Sequence, residues 1–104
     1  MMDRIIKLQE FLAANPADSF IQHALALEYV KTGEEAKARQ LFEELLTRDP
    51  AYVGSYYHLG KLLERTNQNE EAIRVYERGM EVARKLEDQH SYAELKAALE
   101  ELIY

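Results

Sequence analysis

The 104-residue sequence has no cysteine, only four glycines and two prolines, and fewer basic than acidic side chains. Without cysteine there is no disulfide framework, no thiolate metal site and no thiol nucleophile, which leaves three histidines as the only soft ligands. A reducing, cytoplasmic setting is the expectation that fits. Thirteen Lys and Arg against nineteen Asp and Glu give a net charge of −6, and that balance opposes wrapping nucleic acid, which needs a dense basic surface. No apolar run approaches the roughly 20 residues that span a bilayer. The opening MMDRIIKLQEFLAANP also lacks the uninterrupted apolar segment of a secretory leader. Neither a membrane partner nor a leader is expected. The acidity is uneven: Glu87, Asp88, Glu94, Glu100 and Glu101 against Lys96 give −4 over residues 87–104, so the first 86 residues carry only −2.

Scarce Gly and Pro, with abundant Leu, Ala, Glu, Lys and Arg, favour helix in nearly every window. No stretch alternates apolar and polar positions with β-branched side chains, so the fold is expected to be all-α, in one domain. Asp3 is placed to cap a first helix carrying Ile5, Leu8, Phe11 and Leu12, and Pro16 ends it because the residue before proline leaves the α region. Ser19 opens a second helix that runs to Thr32-Gly33, and a third starts near Glu34-Glu35 and stops before Asp49-Pro50. A fourth covers about 53–66, and a long fifth reaches about Leu86 after the polar Asn67-Gln68-Asn69. Ser91 and Glu94 have capping-box spacing and predict a sixth helix to about Ile103.

A period of 34 residues runs through these helices. Leu8, Phe42 and Tyr76 obey it, as do Leu25 and Leu59, Ala26 and Gly60, Ala38 and Ala72, and Pro16 and Pro50. Side-chain size recurs more than identity does. Small residues at 26, 38, 60 and 72 let two helix backbones approach, while Leu25 and Tyr29, or Leu59 and Leu63, meet Phe42 or Tyr76. Fully burying one such large side chain contributes roughly 1.5 to 3 kcal/mol.

The pattern resembles the tetratricopeptide repeat, W-x2-L-G-x2-Y, then A-x3-F, then P. The first unit reads Gln22-x2-Leu25-Ala26-x2-Tyr29, Ala38-x3-Phe42, Pro50; the second reads Tyr56-x2-Leu59-Gly60-x2-Leu63, Ala72-x3-Tyr76, with Arg84 in the proline position. Gln22 stands where tryptophan is expected, which predicts that Phe20 or Ile21 covers that end. The resemblance implies a right-handed solenoid of helical hairpins, an α-α superhelix, with repeats at 19–52 and 53–86. Residues 2–15 lie one period before a second helix and read as an N-terminal cap. Residues 89–103 restate a first helix as Tyr92-x2-Leu95-Lys96-x2-Leu99, shifted by 36, and read as a C-terminal cap with a cation in the small-residue slot.

No enzyme is expected. There is no His-Glu-x-x-His pair, glycine-rich phosphate loop or glycine-flanked serine elbow. His23 and His58 could approach across neighbouring first helices, but two ligands without a third rarely hold a metal, so neither metal nor other cofactor is expected. The pairs Glu43-Glu44, Glu70-Glu71 and Glu100-Glu101 read as solvated faces.

Helical angles single out a different surface. With Leu25, Ala26 and Tyr29 inward, the second helix turns Phe20, His23, Ala24, Leu27 and Lys31 the other way. The fourth does the same with Gly54, Tyr57, His58, Lys61 and Arg65, with Glu64 at the margin. In the family such faces line a concave groove that holds a partner's peptide or helix. The resemblance therefore implies a peptide-binding groove formed by Phe20, His23, Leu27, Lys31, Tyr57, His58, Lys61 and Arg65. Lys31, Lys61 and Arg65 against Glu64 give it about +2, which suits a protein ligand that is apolar with acidic flanks. The alternative is a homodimer through the incomplete ends, where Tyr92, Leu99 and Ile103 form an unpaired apolar stripe.

Overall fold

A computed structural model describes residues 2–104 as six helices: α1 (Met2–Ala14), α2 (Ser19–Lys31), α3 (Glu35–Arg48), α4 (Gly54–Arg65), α5 (Asn69–Lys85) and α6 (Gln89–Ile103). No strand occurs among the described residues, so the fold is an all-α helical repeat. Two compact units divide it, the first up to Asp49 and the second from Pro50 to Tyr104.

Three helix ends repeat one solution. Gly33, Asn67 and Glu87 have φ of 81°, 63° and 57°. In each case the next residue's N–H donates to the carbonyl five residues back: Glu34 to Tyr29, Gln68 to Leu63 and Asp88 to Ala83. Such left-handed caps satisfy carbonyls the helix leaves unbonded, and glycine adopts them without a Cβ penalty. Helix caps differ from expectation at α1 and α6, whereas α2 opens at Ser19 as expected. Asp3 lies inside the first turn of α1 rather than capping it. Asp18, one residue before Ser19, caps α2 by accepting from the Ile21 N–H at 3.0 Å. Asp88 caps α6 by accepting from both the N–H and the hydroxyl of Ser91, so Ser91 receives the cap instead of providing it.

In the first unit, α1 and α3 each pack on α2. Ala26 and Ala38 are fully buried, as is Phe42, with Leu25, Tyr29, Leu45 and Leu46 around them. The tryptophan position is resolved by Gln22 itself, 3% exposed, while Phe20 is 71% exposed and covers nothing there. The Gln22 amide donates to the Leu41 carbonyl at 3.0 Å and accepts from Arg48 at 2.7 Å. Ser19 donates to Asp49 at 2.7 Å and accepts from Arg48, so the start of α2 is tied to the end of α3. A buried amide costs stability unless its polar atoms are bonded. Here no buried side-chain nitrogen or oxygen among the described residues lacks a partner.

Glu28 is the other buried polar group of α2, 6% exposed. Arg4 of α1 donates to it at 3.0 Å and Lys31 at 3.3 Å. Burial works against its ionisation, but the hydrogen bonds from Lys31 and Arg4 outweigh it and hold the carboxyl below its ordinary 4.5. Because the folded value is depressed, the stabilisation is present above about pH 4.5 and is lost as pH falls through the folded value. Glu28→Gln is expected to lower the melting temperature at pH 7, with the difference from the parent closing as pH falls through the folded value and the carboxyl is neutralised. Melting curves across that range check this, and a pH-independent gap would contradict it.

In the second unit, α5 packs against both α4 and α6. Tyr56, Leu59, Leu63, Ala72, Tyr76, Ala83 and Leu95 form the core. Gly60 lies under the Tyr76 ring, so closely that a Cβ there would stand 2.2 Å from a ring carbon. The Tyr76 hydroxyl donates to Glu64, and burial together with that carboxylate pushes its pKa far above the ordinary tyrosine value. Gly79 serves the same purpose between α4 and α6: a Cβ there would meet Tyr56 at 2.7 Å and Leu95 at 2.9 Å. Lys96, in the small-residue slot of α6, is exposed as its charge requires.

Candidate protein-docking faces

The outward sides of α2 and α4 follow from which residues their hairpins bury. On α2, burial of Gln22, Leu25, Ala26 and Tyr29 leaves Phe20 exposed and His23 and Leu27 half-buried. The His23 ring meets Phe42 edge-on, centroids 5.8 Å apart. Lys31 is exposed, its ammonium 3.3 Å from Glu28.

On α4, Tyr57, His58 and Lys61 come together. Tyr57 and His58 are half-buried and T-shaped, 5.5 Å between centroids, and the Lys61 ammonium stands 5.7 Å from the Tyr57 ring centre. Lys61 also lies 3.7 Å from Glu64, which accepts from Tyr76. A chain of contacts thus runs from core to surface, Tyr76 to Glu64 to Lys61 to Tyr57. Burial lowers the His58 pKa, partly offset by the Glu94 carboxylate of α6, so its imidazole is neutral at pH 7. Arg65 is exposed at the end of α4. Glu94 was not among the residues read as facing this side, although it lies 36 residues after His58, the same displacement that relates Leu59 to Leu95.

The eight candidate residues fall into two groups, Phe20, His23, Leu27 and Lys31 on the first unit and Tyr57, His58, Lys61 and Arg65 on the second. No cluster of three or more His, Asp or Glu able to hold a metal occurs among the described residues, and none of their helices is long and apolar enough to cross a membrane. The small residues spaced 34 apart, Ala26 and Gly60, Ala38 and Ala72, are all buried at hairpin contacts. A sequence model of the tetratricopeptide repeat matches residues 29–99.

The chain belongs to the tetratricopeptide-repeat family. Its fold is shared with a crystal structure of a tetratricopeptide-repeat domain protein from Salinibacter ruber, 46% identical, covering 82% of this chain and 94% of that one, with a TM-score of 0.78. A solution structure of a tetratricopeptide-repeat domain protein from Salinibacter ruber is 45% identical over 85% of this chain and 89% of that one, TM-score 0.82. A solution structure of a Bordetella parapertussis protein, 24% identical, covers 94% of this chain and 85% of that one with a TM-score of 0.81, a likeness of fold alone. No curated protein matches the chain. Tetratricopeptide-repeat proteins generally mediate protein–protein interaction as non-catalytic scaffolds.

One apolar depression of this tetratricopeptide-repeat protein was not foreseen. About 390 Å3 opens in the first unit above Leu12, Ala13, Leu25, Tyr29 and Leu41. The repeat pattern gave no signal of it, since Leu12 and Leu41 have apolar counterparts 34 residues on in Leu46 and Val75.

Proposed function

We propose that the protein is a non-catalytic adaptor, with repeats at 19–52 and 53–86 in one domain capped by 2–15 and 89–103. Its first-helix faces receive a peptide or helix of another protein. The observation that carries this reading is the Tyr57 cluster, an aromatic ring held half in solvent with a cation over it on a helix whose opposite side is fully committed to core. Phe20 supports it, since a phenylalanine 71% exposed gains from being covered. The ligand is apolar with acidic flanks. Because Lys31 and Lys61 already lean on Glu28 and Glu64, apolar contact supplies most of its affinity and charge orients it. Two short faces support binding on the order of micromolar.

Tyr57→Ala with Lys61→Ala is the test. The double variant is expected to lose proteins that the parent retains from a lysate of the source organism, with helicity and melting temperature nearly unchanged. Equal retention by both chains would refute the assignment of this face.

A further inference from the structure

Two clefts adjoin on the second unit where α5 and α6 run side by side. One, of about 280 Å3, has Met80, Tyr92 and Leu99 as apolar floor with Glu77 and Glu81 on its rim. The other, of about 310 Å3, brings in Glu87 and Asp88. Arg84 and Tyr92 line both, so they form one trough. The side of α6 that carries Leu95 and Ala98 is buried. Tyr92 and Leu99 are only half-buried and Ile103 is 47% exposed, a second apolar row at i, i+7 and i+11 on the same helix, with the exposed Lys96 beside it at i+4.

Charge decides what fits. Four carboxylates, Glu77, Glu81, Glu87 and Asp88, surround the trough against Arg84, a net of −3, and the Arg84 guanidinium is already held by Glu81 at 2.9 Å. A second copy offering the same trough would set −3 against −3, and the whole chain carries −6. Like charges brought face to face are a barrier to that pairing. The complement is a helix with apolar anchors along one stripe and Lys or Arg along the side that meets α5 and the α5–α6 turn, where the carboxylates lie. From Tyr92 to Ile103 the row runs roughly 16 Å at 1.5 Å per residue, about three turns of such a helix.

We propose that this trough docks a basic amphipathic helix of another protein, independently of the α2 and α4 faces. The test uses fluorescence anisotropy with a labelled synthetic 15-residue helix bearing leucine on one stripe and lysine elsewhere, and a counterpart with glutamate for lysine. The full chain is expected to bind the lysine peptide saturably and to ignore the glutamate peptide. Glu77→Lys with Glu81→Lys is expected to weaken binding by about tenfold or more, whereas Glu10→Lys with Glu44→Lys, exposed on the first unit and equal in charge change, leaves it within about twofold. Leu99→Gln, which alters the floor without altering charge, is expected to weaken binding as well, and circular dichroism verifies that each variant is folded. Equal weakening by the two charge-reversed pairs would reduce the effect to bulk attraction and overturn the proposal. So would binding of both peptides alike, of neither, or a concentration-dependent dimer in sedimentation that Leu99→Gln disperses.

Discussion

Gly60→Val destabilises the second unit by about 3 kcal/mol, at the upper end of what overpacking a well-filled contact costs. A Cβ at Gly60 would lie 2.2, 2.6 and 2.7 Å from three carbons of the Tyr76 ring. The ring has nowhere to go: it is fully buried, and its hydroxyl is bonded to Glu64. Alanine is the milder test, because replacing glycine within a helix returns about 1 kcal/mol of backbone entropy and propensity. Valine gains less from propensity and adds two methyl groups at the closest point of the contact. A loss of that size lowers the melting temperature by about 10 to 20 °C for a chain of this length. Thermal denaturation of Gly60→Ala, Gly60→Val and the double variant Gly60→Val with Tyr76→Leu separates steric overlap from other causes. If the ring is what valine strikes, trimming it makes the double variant less destabilised than the sum of the two single changes. Strict additivity would show that the ring is not the obstacle.

Phe42→Ala acts on the first unit through the opposite mechanism, a void. Phe42 is fully buried and meets His23 edge-on. Removing a buried phenylalanine ring costs about 3 to 5 kcal/mol, the lost transfer energy plus the cavity left behind. Domains of this size have only about 5 to 15 kcal/mol in total, so the variant is expected to lose a large share of its stability. Urea titration reads the effect as a fall in midpoint at nearly constant slope. A loss below about 1 kcal/mol would mean that the ring is not enclosed as described.

Both predictions rest on residues whose roles were legible in the sequence, and the reason is physical. Two helices can nest only where their facing side chains are small, so Ala26 and Ala38, Gly60 and Ala72 had to recur in phase with Phe42 and Tyr76. The outward positions of Phe20 and Tyr57 followed by angle from the same constraint. Polar detail did not follow from it. Asp18 and Ser19, or Asp88 and Ser91, offer equally suitable cap oxygens, and only the path of the preceding turn selects between them. After α5 that turn passes through a left-handed Glu87, a residue with none of glycine's preference for such a conformation. Size patterns are blind to Gln22, which fills a tryptophan position by hydrogen bonding instead of volume. Glu28 reads as surface by composition and is buried because Arg4 arrives from another helix. The charge of the candidate faces was the least legible part, since Lys31 and Lys61 each spend part of their charge on an acid three residues away on their own helix.

The amide at position 22 gives the α2–α3 hairpin a directional latch. An indole would hold the two helices by bulk, and bulk tolerates sliding, because apolar surfaces displaced by one turn still exclude water. The Gln22 amide nitrogen, aimed at the Leu41 carbonyl, would find another backbone carbonyl one turn away, but its oxygen, which accepts from the Arg48 guanidinium, would meet Glu44 there and lose its donor. A slipped alignment would strand the amide oxygen, at a cost of about 1 to 3 kcal/mol. The substitution thus gives up some packing volume and in return rejects the misaligned hairpins that a more uniformly greasy seam would accept.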